Sequence, residues 1–190
     1  MDLGLDQRVV FIAGPDDELR AALTASFTAE GARVLGPVAA PPGPGDRVDV
    51  VVVLEAPTDE RPVDWLVDPA AVDRAWDPVV SAVALYQQAV ASMRERGFGR
   101  LIYVGSANSR DVAEVGSDLG LVAGLGMRAL HKVVADECGP DGVTTTTVLR
   151  GRIATVEDVA ACTTWLASDV AGYLTGVTIS IDGGLATPVF

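Results

Sequence analysis

One histidine, one lysine and one asparagine leave this 190-residue chain few groups for acid–base chemistry. Ser106 is the alcohol in the most suggestive place, at the end of an apolar run, but a serine without a base beside it is not activated. Asn108 is the only asparagine and follows it closely. His131 lies among Leu130, Val133 and Val134 on a predicted helix and reads as a packed or interface histidine. Cys138 and Cys162 stand at no metal-ligand spacing, and a single histidine excludes the common Cys/His zinc sets, so both thiols read as buried spectators. Arg150 can bind an anion, although surface solvation or an interface ion pair is the favoured reading.

These residues need elements to hold them. Arg8 to Gly14 is a short apolar run that ends in a turn and an acid-rich helix start, the pattern of a buried parallel strand. Asp16 or Asp17 can cap the helix, which Gly31 stops, and residues 32–36 form a second strand. Residues 37–47 hold too much proline and glycine for a helix. Fully extended, such a linker reaches some 33 Å, enough to cross one strand and return to the strand Val48 to Leu54. A helix over about residues 72–97, a strand from Arg100 to Val104, a helix over about residues 118–137 and a strand from Val143 to Leu149 follow. Thr155 with Asp158 resembles a capping box that opens another helix, and Val177 to Ile181 is the last strand. The four threonines from Thr144 read as β-branched strand residues with no separate meaning. About six parallel strands alternating with helices predict an α/β, doubly wound, Rossmann-like single domain over residues 1–190.

Composition narrows the partners. Half the residues are apolar (49%) and the formal net charge is -12, which sets the chain against nucleic acid and anionic membrane surfaces. The acidic first residues and the short apolar runs predict a cytoplasmic protein.

Four stretches then carry a resemblance: Gly99-Arg-Leu-Ile-Tyr-Val-Gly-Ser106, the helix ending Val134-Ala-Asp-Glu137, Gly142-Val-Thr, and Thr164-Trp-Leu-Ala-Ser-Asp169 through Tyr173-Leu-Thr-Gly176 to Asp182-Gly-Gly184. In order and spacing they resemble the short-chain dehydrogenase/reductase (SDR) family and cover most of the second half. The resemblance implies a Rossmann sheet, a nicotinamide cofactor, and Asn, Ser, Tyr and Lys as active groups, the last two as Tyr-x-x-x-Lys. Ser106 falls on the family's serine. The residue four before Lys132 is Arg128, so that motif is absent, and the family's Tyr and Lys fall on Gly120 and Gly124, which have no side chain to move a proton. Leu54-Glu-Ala-Pro57 stands where the family has Asn-Asn-Ala-Gly. No catalytic residue is therefore expected, and Ser106 is a vestigial family position.

The expected cofactor set is also none. In the turn Ala13-Gly-Pro-Asp-Asp-Glu-Leu-Arg20, only Gly14 remains of the family's glycines, with Glu18 and Arg20 at the two later positions. Acids here serve the helix dipole at roughly 0.3–1 kcal/mol each and repel a phosphate. No acid follows the second strand to hold a ribose. The family's third strand–helix unit and its substrate lid are missing, only Arg150-Gly-Arg-Ile-Ala154 standing where the lid would be, with Arg150 in place of a proline that supports the nicotinamide.

What is kept suggests assembly. Trp76, Val79, Val80, Val83 and Val90 form one stripe on the long helix, and Ala82, Leu85, Ala89 and Met93 another, so one covers the sheet and the other needs a partner. Gly120, Gly124 and Gly126 each cost about 1 kcal/mol in a helix and imply close approach of another backbone. In relatives these two helices meet another subunit, and so does the C-terminal region. The leading expectation is a non-catalytic subunit of a hetero-oligomer with a catalytic SDR paralogue, docked through helices 72–97 and 118–137 and the C-terminal region, that stabilises or shapes an enzyme acting on hydroxyacyl or oxoacyl thioesters. Two alternatives stay open. One is a nicotinamide-independent enzyme using Ser106 with Arg110 or Arg150; the other is a homo-oligomer binding a small ligand near Ser106 and Arg150.

Overall fold

The computed structural model describes residues 2–36, 42–43, 46–56, 69–107 and 120–185. In chain order the elements are β1 (Val9–Ala13), α1 (Glu18–Ala29), β2 (Arg33–Val34), β3 (Val50–Leu54), α2 (Pro69–Arg96), β4 (Gly99–Ser106), α3 (Gly120–Cys138), β5 (Val143–Arg150), α4 (Val156–Leu166) and β6 (Val177–Ile181). The strands form one sheet in the order β2-β1-β3-β4-β5-β6, every pair parallel. β2 and β3 flank β1, so the linker between them crosses one strand, as its length allows. Residues 37–41 and 44–45 of that linker lie outside the described residues.

Period-two alternation sorts the strand residues between two cores. Val10, Ile12, Val50, Val52, Ile102, Val104 and Val148 face one side, where α1 and α4 cover them with Leu19, Leu23, Phe27, Val159 and Leu166. Phe11, Val51, Leu101, Tyr103 and Val143 face the other, under Val79, Ala82, Leu85, Tyr86 and Met93 of α2 and Ala123 and Met127 of α3. Burial on both faces explains why the strands read as continuous apolar runs.

The stripe that covers the sheet is the one containing Ala82, Leu85, Ala89 and Met93, and Val79 belongs with it. Trp76 and Val80 stay exposed, at 42% and 64%, as do Leu125 and Val133 on α3, at 49% and 62%. Gly126 has a purpose inside the chain: a Cβ there would lie 2.7 Å from the Trp76 ring and 3.1 Å from Val79, so glycine lets α2 and α3 close on each other. α4 starts with the expected capping box. Thr155 Oγ1 accepts from the Asp158 amide at 3.1 Å, and the Asp158 carboxylate accepts from the Thr155 amide at 3.0 Å.

The N-terminal edge of the sheet is held by charge. Asp49 is fully buried, accepts from the Val9 amide at 2.9 Å, and pairs with Arg47 at 3.1 Å and Arg96 at 3.4 Å. Arg8 and Arg100 both stack on the Phe98 ring, at 3.5 and 4.1 Å from its centroid.

Candidate functional site

Ligands of open parallel α/β sheets bind outside the carboxyl ends of the strands, at the point where strand order reverses. Here that point lies between β1 and β3, so the groups to inspect are the turn after Ala13, the end of β3 and the last residues of β4 and β5.

The turn after β1 is filled by the chain itself. Asp17 is the N-cap of α1, and its carboxylate accepts from the Arg20 amide at 3.0 Å, taking a donor that a phosphate would use. Arg20 is 7% exposed, and its guanidinium folds back over β1. It donates to the carbonyls of Ile12 and Gly14, both at 2.6 Å, and of Pro15 at 2.9 Å. Gly14 adopts φ +121, and a Cβ there would meet the Leu54 carbonyl at 2.6 Å and the Leu54 Cβ at 2.7 Å. β3 therefore packs directly against the one glycine that remains. A dinucleotide pyrophosphate needs free amides and room for its oxygens; with a carboxylate on the helix terminus, Leu54 on the glycine and a guanidinium on the carbonyls, this turn does not fit one.

Glu55, immediately after β3, extends the ladder by donating its amide to the Val104 carbonyl at 2.9 Å. Its carboxylate accepts the Ser106 backbone N–H and bears electrostatically on the Tyr103 phenol. Burial first, then the negative charge of Glu55, hold the Tyr103 phenol above its ordinary range. Tyr103 thus remains a neutral donor, and the Ser106 main chain is anchored where the sheet ends.

The structure brings Ser106 and Arg150 together as Cα partners in the β4–β5 register. Arg150 is exposed, and its Nε donates to the Ala154 carbonyl at 3.3 Å, within the short connection to α4. His131 goes elsewhere. It is 1% exposed, its Nε2 is 2.8 Å from the Tyr86 hydroxyl, and its Nδ1 is 3.1 Å from Thr147 Oγ1. Burial pushes its pKa down to about 4, so the imidazole is neutral at physiological pH. Thr145 Oγ1 donates to the His131 carbonyl at 2.7 Å. The threonine run therefore has a meaning that the sequence reading denied it, since alternate members tie β5 to α3. His131 is the packed histidine expected, joining α2, α3 and β5.

The two cysteines differ from each other. Cys138 is buried, whereas Cys162 is half-buried, a correction to its reading as a buried spectator. Burial raises both thiol pKa values, so neither is poised as a thiolate. Cys162 lines a groove of about 430 Å³ with Ile153, Ala154, Asp158, Ala161, Ile181 and Gly183. This groove lies on the flank of α4 and β6, and none of Gly14, Ser106 and Arg150 lines it. Gly120, at the family's tyrosine position, starts α3, and Gly124, at the lysine position, is buried in it. Asn108 and Arg110 lie outside the described residues.

Sequence reasoning missed where Arg20 goes and what Glu55 does. A signal existed for Arg20: a long cation where a Rossmann turn takes glycine has to find acceptors, and carbonyls at the end of β1 are the nearest. Nothing in the sequence marked the Glu55–Ser106 contact, because it depends on the ends of β3 and β4 meeting across their ladder.

Comparison with known proteins agrees with this architecture. The family model for enoyl-(acyl carrier protein) reductase matches residues 144–186. An acetoacetyl-CoA reductase of Rhizobium meliloti is 30% identical over 178 residues, covering 72% of this chain and 73% of that protein. The (2S)-[(R)-hydroxy(phenyl)methyl]succinyl-CoA dehydrogenase subunit BbsC of Thauera aromatica is 29% identical over 209 residues, covering 95% of this chain and 79% of that one. Among solved structures, an oxidoreductase of the short-chain dehydrogenase/reductase family from Burkholderia thailandensis superposes with a TM-score of 0.84 at 24% identity, covering 96% of this chain and 94% of that chain. With β1 through β6 in the order of a doubly wound sheet and a reductase relative matched along most of its length, the chain belongs to the short-chain dehydrogenase/reductase family.

Proposed function

We propose that this chain is a non-catalytic, non-nucleotide-binding SDR-fold subunit that pairs with a catalytic SDR paralogue in the cytoplasm and stabilises or shapes it. One contrast carries the reading. At the carboxyl edge of the sheet the chain's own Asp17, Arg20, Leu54 and Glu55 occupy the positions a cofactor would need, while Trp76, Val80, Leu125 and Val133 stay exposed on α2 and α3. Isolated exposed apolar residues are ordinary, but several on two adjoining helices suit a protein contact. The partner supplies nicotinamide binding and the Ser-Tyr-Lys set; this chain supplies surface.

Relatives point to the chemistry of the complex. Acetoacetyl-CoA reductase and the [hydroxy(phenyl)methyl]succinyl-CoA dehydrogenase subunit both carry acyl-CoA substrates in their names, and the second is a subunit by name. Hydroxyacyl or oxoacyl thioesters are accordingly the substrate class proposed for the partner. Affinity purification of the tagged chain from its native host, followed by mass spectrometry and a nicotinamide reduction assay, tests this. Stoichiometric recovery of a dehydrogenase with an intact Tyr-x-x-x-Lys supports the subunit; a homo-oligomer with no such partner overturns it.

The Ser106–Arg150 register favours a second reading, in which the chain handles an anionic substrate without nicotinamide. It requires that Ser106→Ala abolish an activity of the isolated chain.

A further inference from the structure

Three carbonyls, of Ile12, Gly14 and Pro15, converge on one point at the end of β1, and the Arg20 guanidinium sits there with donor distances of 2.6, 2.6 and 2.9 Å. A phosphate-binding turn presents amides to an anion; this turn presents oxygens to a cation. Arg20 belongs to the first turn of α1, which Asp17 caps, and the nearest other carboxylate, Asp16, is 4.0 Å away and mostly solvated at 82% exposure. The guanidinium is thus held chiefly by main-chain oxygens, in a place of 7% residue exposure where water cannot replace all three bonds.

We infer that the polarity of the Rossmann turn is inverted here, and that it is a guanidinium cradle which the chain fills with its own Arg20, locking α1 to β1 without a dinucleotide. This rests on the nucleotide-free reading of the same turn and adds to it what holds the turn shut. The fork geometry matters: Arg20 reaches three acceptors through three nitrogens, Nε, Nη1 and Nη2, which a lysine ammonium on its single nitrogen cannot match at these positions.

The test is thermal melting of the wild-type chain, Arg20→Ala and Arg20→Lys, each with and without millimolar ethylguanidinium, and of the wild type with NADH and NADPH. The inference expects Arg20→Ala to melt about 5–10 °C below wild type and Arg20→Lys to fall between them. Ethylguanidinium, which replaces the missing end of the side chain, raises the melting temperature of Arg20→Ala and leaves wild type unchanged. Should Arg20→Ala not fold, a drop in Arg20→Lys by itself supports the cradle. Melting of Arg20→Lys at the wild-type temperature, or of a folded Arg20→Ala without response to ethylguanidinium, overturns it. A rise in the wild-type melting temperature with NADH or NADPH overturns instead the nucleotide-free reading, so the two failures are distinguishable.

Discussion

The carboxyl edge of the sheet and the outer faces of α2 and α3 treat their chemistry in opposite ways. At the edge, polar groups that a cofactor would meet are turned inward and paired, Arg20 on three carbonyls and Glu55 on the Ser106 amide. On the helices, apolar groups that the chain has no use for internally are left outside, Val80 and Val133 at more than 60% exposure. The proposed subunit role needs this division. The edge can be sealed at little cost because the chain has carbonyls and amides to satisfy it, while an apolar face can be covered only by something else.

Opening the interior should have the largest effect. His131→Ala removes a buried ring and leaves the Tyr86 hydroxyl and Thr147 without their shared partner, and should lower stability by about 3–5 kcal/mol in urea unfolding. Charging the exterior comes next. Val80→Arg with Val133→Asp should leave the melting temperature within about 3 °C of wild type, yet weaken co-purification of the proposed dehydrogenase partner by about 100-fold or more. Loss of folding in that double variant would show that these side chains serve the chain and not a contact.

Acid should sharpen the same contrast. His131 is held neutral, with its pKa near 4 against about 6.5 when unfolded. Falling pH protonates the unfolded chain first, so the His131 contribution is complete above about pH 6.5 and is lost progressively down to about pH 4, by up to about 1.4 kcal/mol per pH unit. Urea midpoints between pH 7 and 4 should follow that slope, and His131→Gln should flatten it. The smallest effect belongs to a surface device: Thr155→Ala breaks the α4 capping box and should cost about 1 kcal/mol.

Where local rules decide, the sequence was a sufficient guide. Val177–Ile181 and the Thr155–Asp158 box stand where they were expected, because a β-branched run and a cap depend on neighbours in the chain. Ends of elements shifted: β4 runs on to Ser106 and β5 to Arg150, since each ladder continues as long as its partner does. The division of the α2 stripes was misjudged at Val79, whose burial is set by how Gly126 lets α3 approach. At the candidate site, the missing tyrosine and lysine could be read by counting, but the replacements could not. Arg20 and Glu55 act through carbonyls and amides, and those carry no letter in a sequence.

The most direct test of the account is reconstitution of the proposed dehydrogenase partner, once purified, alone, with this chain, and with its Ser106→Ala variant, followed by the nicotinamide-dependent turnover of an oxoacyl thioester. The account predicts that turnover requires the chain and is the same with Ser106→Ala as with wild type. Turnover that disappears with Ser106→Ala, or that the partner sustains fully by itself, would contradict it.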